Sequence, residues 1–168
     1  VFDYVSDLKK NSASCSLNYI NSQTIPYHGG LESFIKDLTP ASFAKAGGNR
    51  ANTDLRNIFK RILAAHHEKN TVTVFVSDCV LDIPEGATDF FGNCQVFIKN
   101  VFNEALSKNP NLGVEVIKME SKFDGWWYCG KNKMLLKNAT RPYYIWVIGD
   151  KNELAELNKK VPMYDIIG

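Results

Sequence analysis

Val72-Thr73-Val74-Phe75-Val76, preceded by Asn70 and followed by Ser77-Asp78, is an apolar run that comes just after the clearest helical pattern in the chain. A short run of Val, Thr and Phe in that position reads as a buried parallel strand, expected near the middle of its sheet. Upstream, Leu55, Ile58, Phe59, Ile62 and Leu63 recur at helical spacing, and Asn52 or Thr53 can cap their helix behind the loop Gly47-Gly48-Asn49-Arg50. Downstream the same order repeats. Val96, Phe97, Val101 and Leu106 mark a helix over 93–108, and Val114, Val116 and Ile117 a strand over 113–119. Tyr143 to Ile148 is the most continuously apolar strand, closed by Gly149-Asp150, and Asn152 to Leu157 begins a last helix. Helical and strand periods that alternate in this way predict an α/β layer structure.

The flanks add shorter elements. Val1, Tyr4, Val5 and Leu8 share one side of a helix that is already under way at the first residue. Cys15, Leu17 and Tyr19 alternate with Ser14, Ser16 and Asn18, the period of a half-buried edge strand. After Gly29-Gly30, Leu31, Phe34, Ile35 and Leu38 give a short helix that Thr39-Pro40 ends, and Pro40 can open another over 40–46. Trp126 to Cys129 and Met134 to Leu136 are expected to pair as a hairpin around Gly130-Lys131-Asn132.

Composition narrows the function classes. The 168 residues are 45% hydrophobic and 23% charged, which excludes a disordered or low-complexity chain and suits a single domain, 1–168, without a dividing linker. A net charge of +2 is far below the positive charge that phosphate-backbone binding requires, so nucleic acid is not an expected partner. Nor is a membrane, because no apolar run reaches the length of a span. Cys15, Cys79, Cys94 and Cys129 form no Cys-x-x-Cys pair, and Cys15 and Cys79 sit in apolar stretches, so free and mostly buried thiols are expected. No phosphate-binding glycine motif and no Gly-x-Ser-x-Gly occurs.

Between Asn70 and Ile98 there is no Lys, Arg or His, whereas Asp78, Asp82, Glu85 and Asp89 fall close together after the apolar run. Carboxylates at the carboxyl ends of strands are placed to attract a divalent cation, and oxygen ligands favour Mg2+, Mn2+ or Ca2+ over zinc. Capping and turn formation account for Asp82, Glu85 and Asp89. Asp78 is the stronger candidate because it directly ends the strand, and the hydroxyl of Thr53 can cap a helix or bind such an ion. His66-His67 reads as a helix end. Phe123-Asp124-Gly125-Trp126-Trp127-Tyr128 concentrates aromatics around a turn, where they fill a core or anchor a partner.

A Gly-containing loop, Thr53-Asp54-Leu55, a long helix and then Val74-Phe75-Val76-Ser77-Asp78 resembles the middle of a von Willebrand factor type A domain. The resemblance implies a doubly wound, mostly parallel twisted sheet with helices on both faces. It also implies a metal-ion-dependent adhesion site at the carboxyl edge, with Thr53 and Asp78 matching two of its loops. Cys79 stands where that family usually has glycine, and the family's Asp-x-Ser-x-Ser loop is absent from these residues, so its first strand is expected upstream of Val1 and the chain is read as a fragment. A complementing segment or a second copy would then fill the sheet. On this reading the chain is a non-enzymatic module that binds a protein partner at the sheet edge through Mg2+ or Mn2+. Two alternatives stand beside it: a metal-assisted hydrolase using Asp78 with Asp82 or Glu85 and His28 as base, and a structural assembly domain that uses Trp126 and Trp127 as its contacts.

Overall fold

The computed structural model describes residues 2–48, 54–65, 70–80, 90–129 and 132–163. The chain divides into two compact units, one formed by Val1–Thr53 with Ala155–Gly168 and the other by Asp54–Leu154.

In the first unit, α1 (Phe2–Lys10) carries Asp3 in its first turn and Lys9 and Lys10 in its last, each sign at the helix end that favours it. It buries Tyr4 and Leu8. An antiparallel hairpin follows, β1 (Leu17–Ile20) against β2 (Thr24–Tyr27), with Leu17 opposite Tyr27. The strand expected from Ser14 starts only at Leu17, and Cys15 is exposed instead of buried. Before Leu17 no second strand among the described residues supplies a ladder, so polar alternation alone does not hold that stretch extended in a sheet.

Asn21 organises the hairpin turn. It is the one buried polar residue in the described core; its amide donates to the Gly47 carbonyl at 2.8 Å and its Oδ1 accepts from the Gln23 N–H at 3.0 Å. Gly48, at φ +71, lies so close that a Cβ there would overlap the Asn21 amide, so both the backbone angle and the space require glycine. Next come α2 (Leu31–Asp37) and α3 (Pro40–Lys45). Thr39 caps α3, its hydroxyl accepting from the Ser42 N–H at 3.2 Å, and Pro40 takes a first-turn position where no N–H is needed. Tyr19 is the hub of this unit, with ring centroids 5.8 Å from Tyr27, 5.3 Å from Phe34 and 5.7 Å from Phe43.

The second unit opens with α4 (Leu55–Ala65). Leu55, Ile58, Phe59 and Leu63 are buried, as their spacing predicts. Asp54 caps it, its carboxylate accepting from the Asn57 N–H at 3.2 Å; Asn52 and Thr53, the caps expected from sequence, lie outside the described residues. Then come β3 (Thr73–Ser77), α5 (Phe90–Lys108), β4 (Leu112–Cys129), β5 (Asn132–Asp150) and α6 (Lys151–Lys160), the last running from this unit into the first. On α5 the buried residues are Cys94 and Ala105, while Val96, Phe97 and Leu106 of the expected apolar face are exposed. Phe59 ties the unit together: its ring lies 5.8 Å from Phe75, 5.4 Å from Phe102 and 4.9 Å from Trp146. Ile145, Val147 and Ile148 on β5 are almost wholly buried. Gly113 and Gly149 face each other across β4 and β5, and the tip of Leu154 fills the space that their missing side chains leave.

The doubly wound, mostly parallel sheet expected from the sequence does not form. Every strand pair among the described residues is antiparallel, in a two-stranded sheet β1-β2 and a three-stranded sheet ordered β3-β5-β4. The 72–76 run, expected centrally, is an edge strand, and the central position belongs to β5. The physical reason lies in the hairpin. Because β5 returns directly on β4, it takes the place beside β4 that a parallel partner would need, and β3 then adds on the free side of β5. Strands β3 and β4 do run in the same direction with α5 between them in sequence, but β5 separates them. Apolar periodicity reports burial and carries no information about strand direction.

Candidate functional site

Two places carry the residues singled out by sequence. Asp78 lies just past the end of β3, with its side chain about half exposed (54%). Its Oδ1 accepts from the Val80 N–H at 3.4 Å, while Ser77 Oγ accepts from the Cys79 N–H at 3.0 Å, and Cys79 turns the corner at φ +53. Facing this bend from β5 is Arg141, its Nη2 3.7 Å from Asp78 Oδ2 and its guanidinium carbon 5.4 Å above the centre of the Phe123 ring. Arg141 is only 19% exposed, so the ring and the strands hold the cation in place. A guanidinium there offsets the charge that a divalent cation would need from Asp78. Burial pushes the Cys79 thiol above its ordinary range, against the opposing pull of Trp146 and Ser77. This corner is therefore a braced turn with a quiet thiol.

Thr53, Asp82, Glu85, Asp89, His66 and His67 lie outside the described residues, so the expected meeting of Thr53 with Asp78 is not described. His28 is exposed, just after β2. Among the described residues no group of three or more His, Cys, Asp or Glu is close enough to share a metal ion. Past Ser77, which pairs with Tyr144, β5 pairs with no strand but β4 among the described residues, and the sheet runs on as a two-stranded ribbon.

That ribbon is the second place. Eighteen and nineteen residues long, β4 and β5 stay in register from Leu112–Asp150 to Cys129–Asn132. At ~3.3 Å per residue each strand spans about 60 Å. One irregularity interrupts them: Lys137 and Asn138 stand where β4 has only Asp124, and the Asn138 N–H, at φ +48, donates to Asp124 Oδ1 at 2.8 Å. The extra residue belongs to β5, so alternation along β4 is uninterrupted. Even-numbered residues of β4 form one exposed face, Val114, Val116, Lys118, Glu120, Lys122, Asp124 and Trp126.

Toward the hairpin end, Trp126 is opposite Leu135 and Trp127 is opposite Met134. Trp126, Leu135 and Met134 are 49%, 48% and 51% exposed, and Trp127 is half-buried. Directly paired residues share a face, so Trp126 with Leu135 is presented on one side of the ribbon and Met134 on the other. The Lys133 ammonium lies 5.1 Å over the Trp126 ring. Sequence reasoning named both tryptophans but missed Leu135 and Met134. Projecting the expected hairpin across its turn would have placed them opposite, whereas nothing in the sequence linked Arg141 to Asp78.

No protein-family model, curated protein or solved structure matches the chain.

Proposed function

We propose that this chain is a protein-interaction module whose contact surface is the distal part of the β4–β5 ribbon, where a protein partner covers Trp126, Leu135 and Met134. One observation carries the reading: exposed apolar side chains on both faces of a ribbon that pairs with no third strand among the described residues. An isolated pair of strands is marginal in water, and large apolar groups exposed together near a hairpin end are what interface anchors look like. Lys133 supplies a polar rim beside the indole. Asp78 has no part in this contact, its carboxylate being turned toward Arg141.

The test is site-specific photocrosslinking in the cells that make the protein, with the reactive group at Trp126 or Leu135 and a control at Lys60 on the exposed side of α4. A defined adduct forms from the ribbon positions and not from Lys60. With the crosslinked protein purified, W126A weakens binding by at least tenfold, consistent with about 2 kcal/mol for an anchor residue. Equal adducts at all three positions, or an affinity that W126A leaves unchanged, overturns the assignment.

A further inference from the structure

We infer that the partner of β4 is β4 of a second copy, paired antiparallel about a two-fold axis at Ser121; the inference rests on the ribbon being the interaction surface and names its partner. Among the described residues no strand pairs with the outer edge of β4, so this edge offers backbone donors and acceptors along its length. The other edge of the ribbon is interrupted by Pro142, which has no N–H, and by the extra residue at Lys137-Asn138. Strand β4 carries neither obstacle.

A two-fold axis perpendicular to the sheet keeps each face on its own side, so even residues oppose even residues. With Ser121 on the axis, Glu120 faces Lys122 of the second copy and Lys118 faces Asp124, each contact made twice. Val116 then faces Trp126, and on the other side of the strand Met119 faces Phe123. Shifting the axis to Glu120 sets Glu120 against itself and Lys118 against Lys122. Shifting it to Lys122 sets that lysine against itself and Glu120 against Asp124. An axis at Met119 restores one kind of ion pair but opposes Val116 to Lys122 and Val114 to Asp124. Charge and apolar matching along the strand thus select one register, and opposite charges directly across an antiparallel pair stabilise it whereas like charges do not. The same matching explains why exposed Val116 and Trp126 flank a charged centre on a single face.

Sedimentation velocity and cysteine trapping test this with the whole chain, in a background with Cys15 and Cys129 replaced by Ser. Opposed Cα atoms in an antiparallel pair lie about 4.5–5.5 Å apart, within disulfide reach, so S121C forms a covalent dimer under mild oxidation while K118C does not. K122E puts a second carboxylate opposite Glu120 and weakens the dimer at least tenfold; E120K combined with K122E exchanges the charges and restores it. Circular dichroism confirms that each variant is folded. A chain that stays monomeric at 100 µM with no S121C dimer overturns self-pairing. If the photocrosslink at Trp126 then captures a different protein, the ribbon remains an interaction surface and only its partner is reassigned. An S121C dimer that K122E leaves unweakened overturns the register.

Discussion

Tyr27 donates its phenol hydrogen to Asp37 Oδ2 at 2.6 Å, from β2 to the end of α2. That bond, with burial and the nearby carboxylate charge, raises the Tyr27 pKa to about 12. A phenol loses charge neutrality as pH rises, so the fold favours the protonated form. The stabilisation is complete below about pH 10, the ordinary tyrosine value, and disappears as pH climbs through about 12. In a spectrophotometric titration of the seven tyrosines, one phenol ionises markedly late, and Y27F removes that late step. Tyr19 is also displaced upward, by burial first and then by Asp37, so the contrast between wild type and Y27F is the informative quantity. Some residue-level features were readable from sequence alone: Gly47-Gly48 as a loop and Pro40 as a helix start both follow from backbone chemistry local to the residue. Cys15 was not readable. Its exposure depends on where the pairing of β1 stops, which no single side chain encodes.

At the level of elements, α4 shows what sequence conveys well. A period of 3.6 in large apolar residues leaves only one face to bury, and Leu55, Ile58, Phe59 and Leu63 are on it. The face of α5 was misassigned because Cys94 and Ala105, which are small, occupy the buried stripe, while Val96 and Leu106 are left outside. Strand direction was illegible for a different reason, since inverting a strand leaves its burial pattern unchanged. The ribbon beyond Met119 was missed as strand because Glu120, Ser121 and Lys122 carry no apolar alternation; those residues are extended because their backbones pair across β4 and β5. At the start of α6, Asp150 caps the helix through the Asn152 N–H at 2.8 Å, and Leu154 seats over Gly113 and Gly149. L154A removes a side chain that is only 4% exposed from a notch that cannot collapse around glycine, and is expected to cost about 2–4 kcal/mol in urea unfolding. K60A, on the exposed side of α4, is expected to change stability by less than about 0.5 kcal/mol. Equal losses for the two would mean that the notch carries no packing energy.

For the molecule as a whole, a net charge of +2 and a pI near 8.3 leave little repulsion between copies at neutral pH. Apolar groups on α5 and at the far end of the ribbon are exposed on the same chain, so solubility depends on charge to an unusual degree. Precipitation by polyethylene glycol is expected to need the least polymer near pH 8.3 and more at pH 6, where the protein gains positive charge. M134K with L135K raises the requirement near pH 8.3; if it does not, the ribbon end is not the surface through which copies meet at low charge.

The order of the three-stranded sheet also governs how the protein is made. Residues Thr73–Ser77 leave the ribosome well before Tyr144–Ile148, their strand partner among the described residues, exists. At ~5–20 residues per second, the nascent chain carries an unpaired β3, with Phe75 and Val76 in it, for roughly 4–14 seconds. Because α4 precedes β3 in the chain and its Phe59 ring packs on Phe75 in the folded sheet, α4 is expected to cover Phe75 until the last strand closes the sheet.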